Sequence, residues 1–220
     1  MAYRYFILFV LVALLIGNNA KAQDVKKEID ISAQCNVFYY HLLIPQELVR
    51  CGAGLPPVEI DVRDVKMITF EHTTGTINFC PWSDSCKDGT ADGSDGMTMI
   101  INQKGMAGIA DFKKMAFLTG VFVNDGYVPE ELNWIDFTDH ENYLQWGPDL
   151  QYPFYIGDGL TNKGVTQQIL VPKDAEKLYL GFADCVGSPE NYADDKGNIH
   201  TTIVLHKSLS KRPPVGTIKN

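Results

Sequence analysis

Apolar and polar residues alternate in short runs along most of this chain, and no long segment carries a helical period. Leu178, Leu180 and Phe182 alternate with Tyr179 and Gly181; Ile199, Thr201 and Ile203 alternate with His200 and Thr202. A period of two marks a half-buried strand. The same pattern predicts strands at residues 58–62, 66–70, 77–79, 97–102, 115–123 and 167–171, with a turn at Gly75. Residues 115–123 are apolar enough to be buried on both faces. Gly, Pro and Asp punctuate the intervals. Many short strands separated in this way predict an all-β fold, a β-sandwich or jelly roll. Residues 23–33 are charged and read as a flexible lead, and residues 37–45 fit either an edge strand or a short helix. The Gly- and Pro-rich stretch 52–57 marks a boundary. It divides an N-terminal extension, 23–55, from a sandwich domain, 56–206. The basic tail, 207–220, contains Pro213 and Pro214 and reads as disordered.

Residues 1–22 have the form of a secretory signal. Arg4 flanks an unbroken apolar run from 6 to 16, and Ala20-Lys21-Ala22 gives a small-x-small cleavage pattern. The run is too short to span a bilayer comfortably, and no later stretch is long and apolar enough to do so. The expectation is a secreted, extracellular chain with no membrane span. The formal net charge is −8; removal of Arg4 and Lys21 with the signal takes it to about −10. An acidic chain without a basic patch repels phosphates, which argues against nucleic acid as a partner. It is compatible with divalent cations and neutral sugars.

Asp184, Asp194 and Asp195 change the picture most. If strands 177–182 and 199–205 form a hairpin, the loop between them brings three carboxylates to one end of the fold. Like charges so close repel unless a cation sits among them, and several hard oxygen ligands suit calcium. Asp and Gly between strands also serve plain turns, so the surrounding pattern has to decide.

That pattern resembles a known family. Leu178-Tyr-Leu-Gly-Phe-Ala-Asp184 followed by Tyr192-Ala-Asp-Asp-Lys-Gly-Asn198 and a closing strand is similar to the end of LecA-like domains. These are the calcium-dependent galactophilic lectins of bacteria, within the wider galactose-binding-like jelly rolls. Leu118-Thr-Gly-Val-Phe-Val123 and Pro153-Phe-Tyr-Ile-Gly157 resemble the preceding strands. The likeness covers roughly residues 56–206 and is strongest over 153–203. It implies a calcium site in which Asp184 bridges metal and sugar hydroxyls, Asn191 gives a backbone carbonyl, and Asp194 and Asp195 stand where the family usually has two Asn. It makes Asp184 and Asp194 the implied sugar-binding residues. A further carbonyl is implied from residues 76–79. Two departures bear on the sugar: the family's His and Gln are absent from residues 81–96, and residues 185–190 lengthen the loop after Asp184. The implied partner is a carbohydrate or glycoconjugate, bound weakly per site, so that several copies in a homo-oligomer would supply avidity. The alternative is a structural or adhesion protein that keeps the metal without recognising sugar.

Cys35, Cys51, Cys80, Cys86 and Cys185 follow the signal. Export favours disulfides; nearest-neighbour pairing gives Cys35–Cys51 and Cys80–Cys86, while Cys185 is left over or pairs with Cys80 or Cys86. Residues 84–95 hold Asp84, Asp88, Asp92 and Asp95 without EF-hand spacing, and read as a solvated loop ahead of a second cation site. In residues 127–152, Trp134, Tyr143, Trp146 and Tyr152 fit either sugar stacking or, better, pinning of a long loop. The chain has no nucleophile elbow, no zincin motif and no phosphate-binding glycine loop. The expectation is a non-enzyme, with a glycosidase carboxylate pair the one catalytic arrangement that sequence alone leaves open.

Overall fold

The computed structural model describes residues 23–49, 51–84, 87–127, 132–184, 186–187 and 189–209. The expected signal, 1–22, and most of the tail lie outside them. In chain order the strands are β1 (Val25–Ser32), β2 (Val58–Asp61), β3 (Met67–Asn78), β4 (Ser94–Asp95) and β5 (Thr98–Ile100). Then follow β6 (Ile109–Asp111), β7 (Lys114–Met115), β8 (Phe117–Val123), β9 (Ile135–Asp136) and β10 (Gln145–Trp146). The last are β11 (Phe154–Tyr155), β12 (Gln168–Leu170), β13 (Lys177–Ala183), β14 (Val186–Gly187) and β15 (Lys196–His206). A three-residue 3₁₀ turn, Gln46–Leu48, is the one helical element among the described residues. The fold is all-β, as the alternation predicts.

Two sheets make the sandwich. One has the order β1-β15-β3-β12-β10, the other β11-β8-β13-β2. Ile31, Ile68, Phe70, Ile199 and Ile203 of the first and Phe122, Leu178, Leu180 and Phe182 of the second belong to one buried core. Every residue of β8 is buried, because the strand is covered on both faces. Two smaller sheets, β14-β5-β6-β9 and the pair β4-β7, extend the molecule at one side.

Several local expectations are overturned. Residues 23–33 are no flexible lead: β1 pairs antiparallel with β15 from Val25↔Leu205 to Ser32↔Asn198. Its charges lie on an exposed edge, where they discourage pairing with other chains, while Ile31 is fully buried. Residues 37–45 form neither strand nor helix but a series of turns that buries Val37 and Phe38. Gly75 makes no turn. β3 runs through it, and β15 follows with a register shift between His200 and Thr202. Gly75 has φ +110, and a Cβ there would lie 2.2 Å from the Asn198 carbonyl oxygen, so two backbones meet where only glycine fits.

The expected hairpin is also absent. β13 pairs with β8 and β2, whereas β15 pairs with β1 and β3. Residues 184–195 therefore cross from one layer of the sandwich to the other. Sequence adjacency suggests a hairpin; the fully buried strand β8 takes the place beside β13 instead.

Cys35 and Cys51 are both free thiols, which corrects the first expected disulfide. Cys35 is turned into the core, where burial pushes its thiol pKa up, while Cys51 is exposed on a groove wall. Cys80 is disulfide-bonded; Cys86 and Cys185 lie outside the described residues. Alkylation of the folded chain followed by peptide mapping is expected to label Cys51 and spare Cys35 until denaturant is added. Equal labelling of both would contradict this placement.

Candidate functional site

The crossing segment 184–195 is held from both layers. The Ala183 carbonyl accepts bonds from the Ala116 amide at 3.0 Å and the Thr98 hydroxyl at 2.9 Å. That fixes the end of β13 immediately before Asp184. Tyr192 is fully buried, and its hydroxyl donates to the Phe182 carbonyl at 2.9 Å while accepting the Asp184 amide at 3.2 Å. The Asp195 amide donates to the Tyr192 carbonyl at 3.3 Å. Tyr192 thus ties the two ends of the crossing together, its hydroxyl at the start and its carbonyl at the end.

The N-terminal residues supply the other half of the support. The Tyr192 amide donates to the Gly52 carbonyl at 3.2 Å, and the Gln34 side-chain amide donates to the Ala193 carbonyl at 2.6 Å. Gly54, at φ +76, sits so close to Tyr192 that a Cβ would come within 2.4 Å of that residue's own Cβ. The close approach requires glycine. The extension before residue 56 is therefore part of what shapes this end of the molecule.

Of the expected site residues, Asp184 and Asp195 are buried, at 5% and 4% exposure, and Asp194 and Asn191 are exposed. Asp184, Asp194 and Asn191 line a common groove. Burial, and then the charge of Asp194, pushes the Asp184 carboxyl up to about 7. Burial, followed by the charges of Asp184 and Asp194, pushes Asp195 up to about 9. Three carboxylates that the sequence separates by up to eleven positions thus feel one another. Asp195 Oδ1 is buried with no hydrogen-bond partner. Asp111 and Glu141 also bury an unpaired oxygen each, but neither lines this groove.

Such an arrangement is chemically unsatisfied. A buried carboxylate oxygen without a donor costs several kcal/mol unless it is protonated or meets a cation. The donor set is all oxygen, which is what calcium takes. β3 ends beside it: Asn78 lies opposite Lys196 in the ladder, and Phe79 lines the groove. Residues 76–79, the expected source of another carbonyl, are thus next to Asp195 in space. Among the described residues no three His, Cys, Asp or Glu side chains are already gathered as a metal's ligand set. An ion here would draw in the exposed Asp194 and use carbonyl oxygens as well.

The groove measures about 1130 Å³. Another wall is built by Phe79, Cys80, Trp82, Ser83 and Met97 together with described residues of the loop 84–95, which reads as solvated. Within it the four Asp do not converge. Asp88 accepts a bond from the Asn78 side-chain amide at 2.9 Å, and Asp92 is turned to the Tyr155 hydroxyl at 3.1 Å and the Asp158 amide at 2.9 Å. Asp95 is exposed and pairs with Lys114 across β4 and β7.

None of the described residues of the aromatic insert lines the groove. The Tyr143 hydroxyl donates to the Tyr155 carbonyl at 2.6 Å, and Trp146 packs on Phe137 and Tyr143. Trp134 meets Phe112 edge-on at 6.3 Å. Tyr143 and Trp146 pin the loop, whereas Trp134 stays half exposed. The exposed ring that sequence reading passed over is Trp82, on the groove wall. A lone Trp among Gly and Asp carries no period to flag it.

No protein-family model, curated protein or solved structure matches this chain. No helix among the described residues is long and apolar enough to cross a membrane.

Proposed function

We propose that this is an exported protein that binds calcium at Asp184, Asp194 and Asp195 and uses that site to hold carbohydrate. The observation that carries the reading is the buried pair Asp184 and Asp195, with one unpaired oxygen, at the head of an open groove. The resemblance of residues 153–203 to LecA-like lectins supports it independently, since it selects the same positions.

Asp195 and Asp184 would hold the ion from the buried side, Asp194 from the groove side, and Asn191 with residues 76–79 would contribute carbonyl oxygens. Bound calcium would supply positive charge and open positions that accept vicinal hydroxyls of a sugar. Asp184 and Asp194, both lining the groove, would accept hydrogen bonds from those same hydroxyls. Tyr192 keeps Asp184 in place through the backbone. A sugar in this position displaces water yet buries little apolar area, so affinity per site is expected to be modest.

A glycan array probed with and without chelator tests the reading. The expected result is binding to neutral glycans that chelator abolishes and calcium restores. If binding survives chelation undiminished, the metal has no part in it; if nothing binds, the carbohydrate reading is wrong. The second reading is a calcium-stabilised adhesion or structural protein without sugar recognition, favoured by the missing His and Gln in residues 81–96. It predicts a calcium-dependent melting temperature with an empty array.

A further inference from the structure

We propose that the groove accommodates an extended, neutral glycan chain, with Trp82 as the platform for a sugar ring beyond the one held at Asp184 and Asp194. This rests on the carbohydrate reading and specifies its substrate class. Three observations point to it. The first is size: pockets for single drug-sized ligands run from about 300 to 1,000 Å³, and the groove is at the top of that scale or above it, at about 1130 Å³. A monosaccharide over the acidic cluster leaves most of it unfilled.

The second is Trp82 itself, 79% exposed in the groove wall. Its backbone is firmly based. Cys80, two residues earlier, is disulfide-bonded. The Ser83 amide closes a turn on the Cys80 carbonyl at 3.0 Å. The Cys80 amide is held by the Asn78 side chain at 3.1 Å, and Asn78 in turn donates to Asp88. A ring displayed on so fixed a base keeps its flat apolar face available, and the C–H face of a pyranose is the natural counterpart.

The third is charge. Asp88, Asp95, Asp184 and Asp194 line the groove against Lys87 and Lys114. With calcium seated at Asp184, Asp194 and Asp195, the five carboxylates still outweigh the ion and the two lysines by about one charge, so a polyanionic glycan gains no net attraction, whereas a neutral chain is indifferent to that balance. Polar walls with an apolar patch at Trp82 match a ligand whose edges carry hydroxyls and whose faces carry C–H groups.

The test is titration calorimetry of the secreted chain in calcium with neutral galactose, mannose and glucose oligosaccharides of one to six rings, and a heparin hexasaccharide as polyanion. Affinity is expected to rise at least tenfold between one ring and three or four for the preferred series. Trp82→Ala should remove roughly tenfold of that gain, Trp82→Phe should keep part of it, and both should leave monosaccharide affinity and the calcium-induced melting shift unchanged. Affinity independent of length, full length-dependence in Trp82→Ala, or tighter binding of heparin would each overturn the proposal, as would the absence of any binding. Failure of the calcium reading has a different signature: length-dependent, Trp82-dependent binding that persists in chelator.

Discussion

In chelator, the melting temperature of this protein is expected to fall as pH rises from 5 to 8, and calcium is expected to abolish the fall. The sign follows from the two buried carboxyls. Asp184 and Asp195 hold their protons up to about 7 and about 9, chiefly because burial penalises the charged form, whereas in the unfolded chain both ionise near 4. Between those limits the folded state carries more protons than the unfolded one, so stability decreases with rising pH. The contribution of the two protonated carboxyls is fully present below the ordinary carboxylate range and fully lost above the raised values. The loss is on the order of a few kcal/mol, or about 10 °C for a chain of this length. On the proposed reading calcium would bind the ionised carboxylates and therefore act most strongly at high pH. At 100 times its dissociation constant a ligand adds roughly 2.7 kcal/mol. Asp195→Asn should melt higher than wild type in chelator at pH 8 and no longer respond to calcium. Differential scanning calorimetry at four pH values, with calcium or chelator, is sufficient. A melting temperature flat with pH in chelator, or unmoved by calcium at pH 8, would count against the site.

Substitution of Tyr192 is expected to be strongly destabilising. Its ring is fully buried and its hydroxyl joins the Phe182 carbonyl to the Asp184 amide. Tyr192→Ala leaves a cavity of aromatic size and two backbone groups without their partner, which is expected to cost about 3–5 kcal/mol. Tyr192→Phe retains the packing and loses the hydroxyl's bonds to Phe182 and Asp184, for about 1–3 kcal/mol. The informative comparison is calcium affinity in the Phe variant, which still folds. It should weaken by about tenfold or more, because Asp184 loses its anchor. Chemical denaturation gives the first quantity, and calorimetric titration with calcium the second. Wild-type calcium affinity in Tyr192→Phe would mean that the phenol supports the fold alone.

The legible parts of this fold were those in which one face of a strand is buried and the other is not. Leu178, Leu180 and Phe182 announce β13, and the largely apolar stretch 115–123 announces a strand covered on both sides. β1 was hidden because its outward residues are charged and only Ile29 and Ile31 mark the inward face, a pattern indistinguishable from a solvated lead. Gly75 misled because glycine inside a strand signals a turn or a tight approach equally well. The acidic cluster was legible as composition, and its members do influence one another. Its setting was not, since neighbouring strands in sequence read as neighbours in a sheet, and nothing local reveals that β13 and β15 belong to different layers. Cys35 and Cys51 illustrate the same limit, being close in sequence while one faces the core and the other the groove. Trp82 needed the three-dimensional wall around it to acquire meaning.

The passage of residues 184–195 from one layer to the other gives this stretch a mechanical role. It is a covalent seam at the end of the sandwich where the carboxylates gather. An ion seated in a seam acts as a rivet between plates, and its departure would let that end gape before the remainder yields. On the proposed reading, the durability of this end of the protein would follow the calcium content of its surroundings.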